Sequence, residues 1–385
     1  MRPMMQLLSF AGFLAFVGGV NAYVFIRVLQ AIPRDSGIRK AVIVLFWAIA
    51  ASFIAGRLLE SYGPSFLSKL LIWVGSFWFA ALLYFLLSVV LLDLLRLIHH
   101  FVPFFPAAVT DNYAAAKRIT ALGVAVMVGL LLVFGHVNSR MPRVRTMTLQ
   151  VAKKAGDLDS LNIVAVSDIH LGTIVGRKRL SQIVERINSL DPDVVLLPGD
   201  IVDEDLTSIR ENSVGDPLRD IRSRYGVYAA TGNHEYIGGV LEAVAYLADH
   251  GLILLRDRAV LVADAFYIVG RDDRSANRFG AEQRKKLSEL MEDVDTNRVV
   301  LLMDHQPFGL EEAAENGVDL QVSGHTHYGQ IWPISYITRC VYEIPWGYKK
   351  KGDTHYYVSN GVGTWGPPLR IGNRPEIVNI RLEFQ

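Results

Sequence analysis

The sequence predicts two regions of different fold class, an all-α membrane-spanning region followed by a layered α/β domain. Two observations lead to this prediction. Residues 1–140 carry 11 lysines and arginines against four acids, and they contain long apolar stretches. Residues 141–385 carry 28 basic and 34 acidic residues, and short hydrophobic runs alternate there with amphipathic segments. The overall net charge of +1 therefore combines a region of +7 with a region of −6.

Four stretches of the first region are long enough to cross a hydrocarbon core of about 30 Å at about 1.5 Å per residue. They lie near residues 7–26, 41–59, 70–92 and 119–137, and the first and third contain no charged residue. A cleaved signal peptide explains only the first stretch, and a buried core helix explains any single one. Four in succession favour a transmembrane domain over residues 1–140, in a multi-pass protein of the cell membrane.

The charges that flank the first span indicate the orientation of the chain in the membrane. Only Arg2 precedes this span, whereas four basic residues follow it, namely Arg27, Arg34, Arg39 and Lys40. The positive-inside rule then places the first loop in the cytoplasm and the α/β domain outside it. The arginines between residues 140 and 145 favour the opposite orientation, so the expectation of an extracytoplasmic domain depends on the first span.

Patterns of apolar and polar residues divide the second region into elements. Residues 141–160 are polar and basic with a turn signal at 155–157, which predicts a juxtamembrane connector with room for an edge strand. The α/β domain is predicted at 161–385. Its predicted strands lie at 161–167, 194–198, 227–231, 252–255, 266–270, 298–303, 320–323, 356–359 and 377–382. Its predicted helices lie at 177–189, 239–249, 281–293 and 309–316. This order suits sheets that pack together with helices outside.

Five short polar blocks follow the ends of predicted strands. In chain order they are Asp168-x-His170, Gly199-Asp200, Gly232-Asn233-His234-Glu235, His305, and Gly324-His325-Thr326-His327. Strand ends carry the active-site loops of α/β sheets, so we expect the blocks to converge. Each block alone is common in ordinary turns and cores. Five of them in this order predict a metal site.

The side chains in these blocks are of the kinds that two neighbouring divalent ions require. The expected ligands are Asp168, His170, Asp200, Asn233, His305, His325 and His327. Side chains two residues apart in an extended chain share a face, so the Asp-x-His and His-x-His pairs each address one site. Asp200 is the natural bridge between the ions. Mn²⁺, iron and Zn²⁺ all accept mixed nitrogen and oxygen ligands, so these residues do not select among them.

The series D-x-H, G-D, G-N-H-E, H and G-H-x-H resembles the pattern of the calcineurin-like metallophosphoesterase superfamily over about residues 160–380. The resemblance implies a four-layer α/β/β/α sandwich and a centre of two divalent metal ions. For one ion it implies the ligands Asp168, His170, Asp200 and His327. For the other it implies Asp200, Asn233, His305 and His325. It further implies that His234 contacts the phosphate and protonates the leaving group.

The C-terminal part is similar to a membrane-associated bacterial branch of that superfamily, through Val358-Ser359-Asn360-Gly361-Val362-Gly363, Arg370 and Pro375-Glu376. That branch often has glycine where this chain has Tyr328. We expect Tyr328 to narrow the site or to present an aromatic surface to the substrate. Arg177 is placed to attract phosphate, although the start of an exposed helix explains it equally well.

Several aromatic residues follow the last ligand block, and they fit a substrate rim, a membrane contact or an ordinary core. They are Tyr328, Trp332, Trp346, Tyr348 and Trp365. Glu235 and Asp304 adjoin expected ligands and are candidates for orienting imidazoles, with solvated surface carboxylates as the alternative. The single cysteine, Cys340, excludes an intrachain disulfide.

These observations predict a membrane-anchored phosphoesterase in which a metal-bridged hydroxide attacks a phosphate ester or pyrophosphate bond. The expected partners are a phosphorylated substrate, with a lipid-linked one as an option, and membrane lipid. A non-catalytic membrane receptor or scaffold of the same fold is the alternative. Such a protein would be expected to lack one or more of the metal-ligating residues. A transporter with an accessory domain has little support from four spans with few buried charges. An acidic domain without a basic stripe does not suggest nucleic-acid binding.

Overall fold

The computed structural model describes residues 2–203, 206–279 and 283–385. The chain separates into two compact units, and the division falls between Phe134 and Gly135. It therefore lies inside the long helix that connects the two units.

The first unit is helical throughout its described elements. These are α1 (Arg2–Ala31), α2 (Ile38–Glu60), α3 (Phe66–Phe101), α4 (Ala107–Thr110) and α5 (Tyr113–Ser139), the last of which continues into the second unit. Within the described residues, α1, α2, α3 and α5 have the length and hydropathy needed to cross a membrane. These four helices agree with the four predicted spans, and they extend beyond them into the polar flanks.

Small residues and one charged cluster organise the first unit. A Cβ atom on Gly75 would lie 2.4 Å from the backbone nitrogen of Phe53, so α2 and α3 approach each other closely at this point. The Asp93 carboxylate on α3 accepts hydrogen bonds from Arg27 at 2.6 Å and Arg96 at 3.0 Å. An acidic group within an apolar helix is thereby paired with cations.

Two six-stranded sheets form the framework of the described part of the second unit. The first contains β1 (Arg143–Val151), β2 (Ser160–Ala165), β3 (Val194–Pro198), β4 (Val227–Ala230), β5 (Ile253–Leu254) and β12 (Glu376–Phe384). The second contains β6 (Arg258–Val262), β7 (Phe266–Gly270), β8 (Val299–Met303), β9 (Leu320–Ser323), β10 (Gly347–Lys351) and β11 (Thr354–Val358). Their orders are β1-β12-β2-β3-β4-β5 and β10-β11-β9-β8-β7-β6.

Parallel pairing aligns the strand ends that matter for the site. Strands β2, β3 and β4 are mutually parallel neighbours in the first sheet, as are β7, β8 and β9 in the second. The carboxyl ends of each set therefore lie at one edge of their sheet.

The described helices of the second unit are mostly short. They are α6 (Arg177–Asn188), α7 (Thr207–Glu211), α8 (Asn233–Gly238), α9 (Val240–Asp249), α10 (Ala276–Phe279), α11 (Leu287–Leu290), α12 (Glu311–Glu315) and α13 (Ile334–Val341). Single 3₁₀ turns occur at Asp216–Asp220 and His327–Gly329.

Three apolar clusters establish the order of the layers. In β2, Ile163 packs in the cluster between the two sheets, whereas its neighbour Val164 packs under α6 with Leu180. This alternation follows from the two-residue period of a strand. A third cluster joins β8 to α11 and α12 through Val300 and Ala313. The four-layer α/β/β/α arrangement is confirmed.

The edge strand for which the predicted connector left room is present, and one predicted helix is mostly absent. Residues 143–151, in the stretch predicted as a connector, form the edge strand β1, which pairs in parallel with β12 along its full length. The predicted helix 281–293 is wrong except at Leu287–Leu290, and residues 281 and 282 lie outside the described part of the chain. The segment before α11 is non-helical, and there Arg284 donates hydrogen bonds to the Asp304 carboxylate.

Candidate metal centre

All seven expected ligands lie directly after parallel strands, and the fold brings them together. Asp168 and His170 follow β2, Asp200 follows β3, and Asn233 begins α8 after β4. The remaining three ligands follow strands β8 and β9 of the second sheet, namely His305, His325 and His327. Because the two sheets pack face to face, their carboxyl-terminal edges supply ligands to a common centre.

Left-handed backbone conformations turn most of these side chains toward the centre. Five of the seven ligands have positive φ angles of 44–70°, namely Asp168, His170, Asp200, His325 and His327. This conformation is uncommon for residues other than glycine, although Asp and His tolerate it better than most. It persists where the surrounding structure enforces it, which is typical of functional sites. Hydrogen bonds from the backbone N–H groups of Asp168 and His170 to the carbonyls of Gly199 and Asp200 join the first two ligand loops.

The first ligand group consists of Asp168, His170 and His327. The Nε2 atoms of the two imidazoles lie 2.9 Å apart, and the His327 Nε2 lies 3.5 Å from Asp168 Oδ1. Asp168 Oδ2 is buried without a hydrogen-bond donor among the described residues. A buried, unpaired carboxylate oxygen costs free energy unless a cation compensates it. The group therefore fits a metal ion.

The second ligand group consists of Asp200, Asn233, His305 and His325. His305 Nε2 lies 3.1 Å from Asp200 Oδ2 and 3.3 Å from Asn233 Oδ1. His325 Nδ1 lies 2.7 Å from the same Asn233 oxygen. One carboxylate, one amide oxygen and two imidazoles are thus directed at one point, and they too fit a divalent ion.

Asp200 lies between the two groups. Its Oδ2 atom is 3.1 Å from His305 of the second group and 3.8 Å from His170 of the first. Burial raises the pKa of Asp200, but the imidazole of His305, aided by His234 and His170, overcomes this effect and holds the pKa well below its usual range. The side chain is therefore an ionised carboxylate that lies between the two ligand groups.

Hydrogen bonds on the far side of the imidazoles orient two of the ligands. His305 Nδ1 donates to the Pro198 carbonyl at 2.8 Å, which orients the ring so that its Nε2 atom faces the second group. The buried Arg370 guanidinium lies 3.0 Å from His327 Nδ1 and donates to the carbonyl oxygens of Gly361 and Gly363. The loop at 361–363 and the last ligand are thereby held by one side chain.

Comparison with known proteins identifies the family. The calcineurin-like phosphoesterase family model matches residues 161–329. An uncharacterized metallophosphoesterase of Aquifex aeolicus is 30% identical over 262 residues, which cover 68% of this chain and 98% of that protein. The chain belongs to the calcineurin-like phosphoesterase family.

Two animal relatives extend the similarity beyond bacteria. A transmembrane protein with metallophosphoesterase domain from Danio rerio is 33% identical over 274 residues, and one from Bos taurus is 34% identical over 275 residues. Each match covers 67% of this chain, but only 61% and 62% of the respective relatives. The predicted superfamily is thus confirmed, and the relatives of this chain include animal as well as bacterial proteins.

In this phosphoesterase fold, His234 lies beside the two ligand groups. Its ring centroid is 4.6 Å from that of His170, and its Nδ1 lies 2.6 Å from the carbonyl oxygen and 3.3 Å from the carboxylate of Asp203. Burial lowers the pKa of His234, but hydrogen bonding to Asp203 and the charge of Asp200 outweigh it and raise the pKa to about 9. These contacts favour a protonated imidazole, which is a proton donor.

Asp203 is a site residue that the sequence analysis missed. It lies three residues after Asp200, in the loop that follows β3, and its carboxylate is 3.3 Å from Nδ1 of both His170 and His234. The only signal in the sequence is a second aspartate soon after the Gly-Asp block. Spacing alone does not distinguish such a residue from a solvated loop carboxylate.

The roles expected for Glu235 and Asp304 are wrong, since neither carboxylate contacts an imidazole among the described residues. Glu235 accepts hydrogen bonds from the backbone N–H groups of residues 200, 201, 202 and 232 at 2.7–3.0 Å, so it fixes the loop that carries Asp200. Asp304 pairs instead with Arg271 and Arg284. Both carboxylates are buried, so the solvated alternative is wrong as well.

The two residues predicted to bind substrate lie outside the ligand groups. Arg177 begins α6 and pairs with Asp216 at 3.0 Å. Tyr328 directly follows the last ligand, but it is buried, and its hydroxyl accepts a hydrogen bond from Arg339 Nε at 2.7 Å. Its ring lies 5.1 Å from that of Trp346. Substrate contact by either residue stays a prediction.

Proposed function

We propose that this protein is a membrane-anchored phosphoesterase that hydrolyses a phosphate ester or pyrophosphate bond with two divalent metal ions. The supporting observation is the position of Asp200, whose Oδ2 atom lies within 4 Å of an imidazole of each ligand group. A receptor or scaffold without activity would tolerate the loss of ligands. All seven expected ligand residues are present and converge, which supports an active enzyme.

Each ligand group would hold one ion, with Asp200 shared. The first ion would be held by Asp168, His170 and His327, and the second by Asn233, His305 and His325. When bound, such ions activate water for attack on phosphorus and neutralise charge on the phosphoryl oxygens. Mixed nitrogen and oxygen donors without a thiolate are suited to Mn²⁺, iron or Zn²⁺.

The chain's own residues supply proton transfer and positioning. His234 would donate a proton from Nε2 to the leaving oxygen, because its Nδ1 is directed at Asp203. Asp203 stabilises the charged imidazole, and Glu235 fixes the backbone that carries Asp200. The burial of these groups limits the access of competing water and strengthens their electrostatic interactions.

Two substitutions test whether Asp200 binds metal and His234 donates the proton. We expect His234→Ala to retain bound metal and to lose most turnover, by about 100-fold or more for loss of a general acid. Asp200→Ala should lose both metal and turnover. The measurement is metal analysis of the purified full-length protein, followed by Mn²⁺-dependent hydrolysis of monoesters, diesters and pyrophosphates. Normal turnover by His234→Ala would refute the role of that residue, and metal-independent hydrolysis by the wild type would refute the mechanism.

We further propose that the second unit, which contains both ligand groups and is called the catalytic unit below, is extracytoplasmic. The loop between α1 and α2, together with the helix ends beside it, carries Arg27, Arg34, Arg39 and Lys40. The connection between α3 and α5, together with the helix ends beside it, carries Arg96, Lys117 and Arg118. For alternating spans these two loops lie on one side of the membrane, and the excess of basic residues after α1 over the single Arg2 at its start makes that side cytoplasmic by the positive-inside rule. A C-terminal alkaline phosphatase fusion should then be active in cells. If the alkaline phosphatase fusion is inactive and a C-terminal fusion to green fluorescent protein is bright, the catalytic unit lies in the cytoplasm and the proposed orientation is wrong.

A further inference from the structure

Helix α13 directs an apolar face outward from the catalytic unit. Ile337 is 64% exposed and Val341 is 54% exposed, and both lie on the face that Ile334 begins. Trp332, just before the helix, is 47% exposed. A surface helix of a globular protein normally turns its apolar stripe toward the core. An apolar face in the reverse orientation is typical of a surface that contacts a partner or a membrane.

This helix adjoins the candidate metal centre. A Cβ atom on Gly329, two residues after His327, would lie 2.5 Å from the backbone nitrogen of Ser335, so the last ligand loop packs tightly on the start of α13. Arg339 of α13 donates a hydrogen bond to the hydroxyl of Tyr328. The exposed face therefore belongs to the element that directly follows the last two ligands.

The end of the membrane-spanning helix α5 contacts the same part of the catalytic unit. The Asn138 amide donates to the carbonyl oxygens of Arg370 at 2.9 Å and Asn373 at 2.7 Å. Between these two residues, the Ile371 carbonyl accepts a hydrogen bond from the Trp332 N–H at 2.7 Å. One short segment, residues 370–373, thus contacts both the end of α5 and Trp332, which lies two residues before α13.

Trp365 extends this apolar surface toward the proton donor. Its indole is 54% exposed, and the ring lies 6.1 Å from the ring of His234. Gln330, from the loop between the last ligand and α13, donates hydrogen bonds to the carbonyls of Trp365 and Pro367. An exposed aromatic side chain therefore stands beside the group assigned to the leaving oxygen.

We propose that α13, with Trp332 and Trp365, rests in the headgroup region of the bilayer, and that the substrate is a phosphate carried by a membrane lipid. Short amphipathic helices bind there through their apolar face, and Trp prefers the boundary between headgroups and acyl chains. We choose the bilayer as the partner because the end of α5 is hydrogen-bonded to residues 370–373, the same segment that is hydrogen-bonded to Trp332. The substrate class rests on the proposed phosphoesterase function, whereas the membrane contact does not.

Cys340 provides a direct test of the contact in the full-length protein. It is the single cysteine of the chain, it is exposed, and it lies on α13 three residues after Ile337, on the same face. We expect an NBD label at Cys340, in protein reconstituted into phospholipid nanodiscs, to be quenched by a headgroup-level nitroxide lipid and protected from aqueous iodide. The matched control is the same label at Leu261→Cys in a Cys340→Ser background, since Leu261 is an exposed apolar residue of β6.

The opposite quenching pattern would overturn the membrane contact. Strong iodide quenching without nitroxide quenching at Cys340 means that the face meets water or a soluble partner. Equal nitroxide quenching of the labels at Cys340 and at Leu261→Cys would mean that the apolar label partitions into the bilayer by itself. This result too would overturn the proposed membrane contact.

Activity tests the substrate class. We expect the double variant Ile337→Ser with Val341→Ser to lower hydrolysis of lipid phosphates in nanodiscs by about tenfold, since two apolar side chains proposed to be buried in the membrane are replaced by polar ones. Hydrolysis of water-soluble aryl phosphate should stay within about twofold of wild type, because neither side chain lies in the metal centre. Leu261→Ser is the control and should change neither rate.

The possible results separate this proposal from the function on which it rests. Equal losses on both substrates, or no loss on lipid phosphates, would overturn the lipid substrate. A wild-type protein with bound metal that hydrolyses neither substrate would overturn the phosphoesterase function, and the Cys340 quenching would still decide the membrane contact.

Discussion

At the scale of single residues, the charge of Asp203 acts on His234, the proposed proton donor. Its carboxylate approaches the Nδ1 atoms of His170 and His234, and it is among the causes that raise the pKa of His234 to about 9. A general acid works only while it is protonated. The activity that depends on His234 is therefore present below its pKa and is lost as the pH rises through it.

Replacing Asp203 by Asn keeps the shape of the side chain and removes its charge. We expect kcat to fall about tenfold to 100-fold, which is less than the roughly 100-fold to 10,000-fold contribution of a general acid, because His234 itself is retained. The alkaline limb of the kcat profile should move to lower pH, because the pKa of His234 falls when the carboxylate is lost. The measurement is kcat against pH for wild type, for Asp203→Asn and for Asp264→Asn, an exposed control carboxylate that pairs with Arg298. An unchanged alkaline limb in Asp203→Asn would show that the carboxylate acts only on structure.

At the scale of elements, the loops between the strands and their helices are packed too closely to admit a side chain. A Cβ atom on Gly232 would lie 2.2 Å from Asp200 Oδ1 and 2.4 Å from the Asp200 backbone nitrogen. One on Gly324 would lie 2.4 Å from Asp168 Oδ2. These glycines let the β4 and β9 loops approach the carboxylates of the β2 and β3 loops.

Gly232→Ala should therefore displace the proposed bridging carboxylate. We expect turnover to fall by about 100-fold, the order of magnitude for a misplacement of about 1 Å in a catalytic site. Metal affinity should fall with it. The control is Gly176→Ala, since a Cβ atom there meets open space before α6. Circular dichroism should be native for both variants, and wild-type activity of Gly232→Ala would contradict the assigned position of Asp200.

Elements differ in how far the sequence predicted them. The buried strands β3 and β8 were predicted because every residue in Val194–Leu197 and Val299–Met303 is apolar, and a parallel strand buried on both faces requires this. The ligand blocks were predicted because their spacing follows from those strand ends. Asp203 and Arg370 were not assigned to the centre, since their roles depend on contacts between distant loops that no local pattern records.

The elements that the sequence analysis missed have different physical causes. Strand β10 contains Lys349–Lys351, and an edge strand tolerates such charge because one side of it faces solvent. Helix α13 carries its apolar residues on the exposed face, so the usual inference from periodicity to a buried stripe fails. The segment at 281–293 has a helical composition, but ion pairing of Arg284 with Asp304 holds part of it in a non-helical form.

At the scale of the whole molecule, bound metal should stabilise the fold. Ligands of both sheets meet at the centre, so an ion present only in the folded state links the two sheets. At an ion concentration of 100 times Kd, binding adds about 2.7 kcal/mol to the free energy of unfolding. We expect EDTA to lower the Tm of the catalytic unit in the full-length protein and Mn²⁺ to restore it. Asp200→Ala should show a much smaller response. An equal Tm with and without metal would argue against a centre that spans the sheets.

The pairing of β1 with β12 has a consequence for biosynthesis. Arg143 pairs with Glu376, so the strand that directly follows α5 depends on a partner more than 200 residues later in the chain. Contacts of such long range form late, because closing a large loop costs chain entropy before any pairing can compensate it. While the ribosome synthesises the intervening residues, α5 is already available for insertion and β1 has an unsatisfied hydrogen-bonding edge. Anchoring therefore precedes folding, and the nascent domain is vulnerable to misassembly until its final strand emerges.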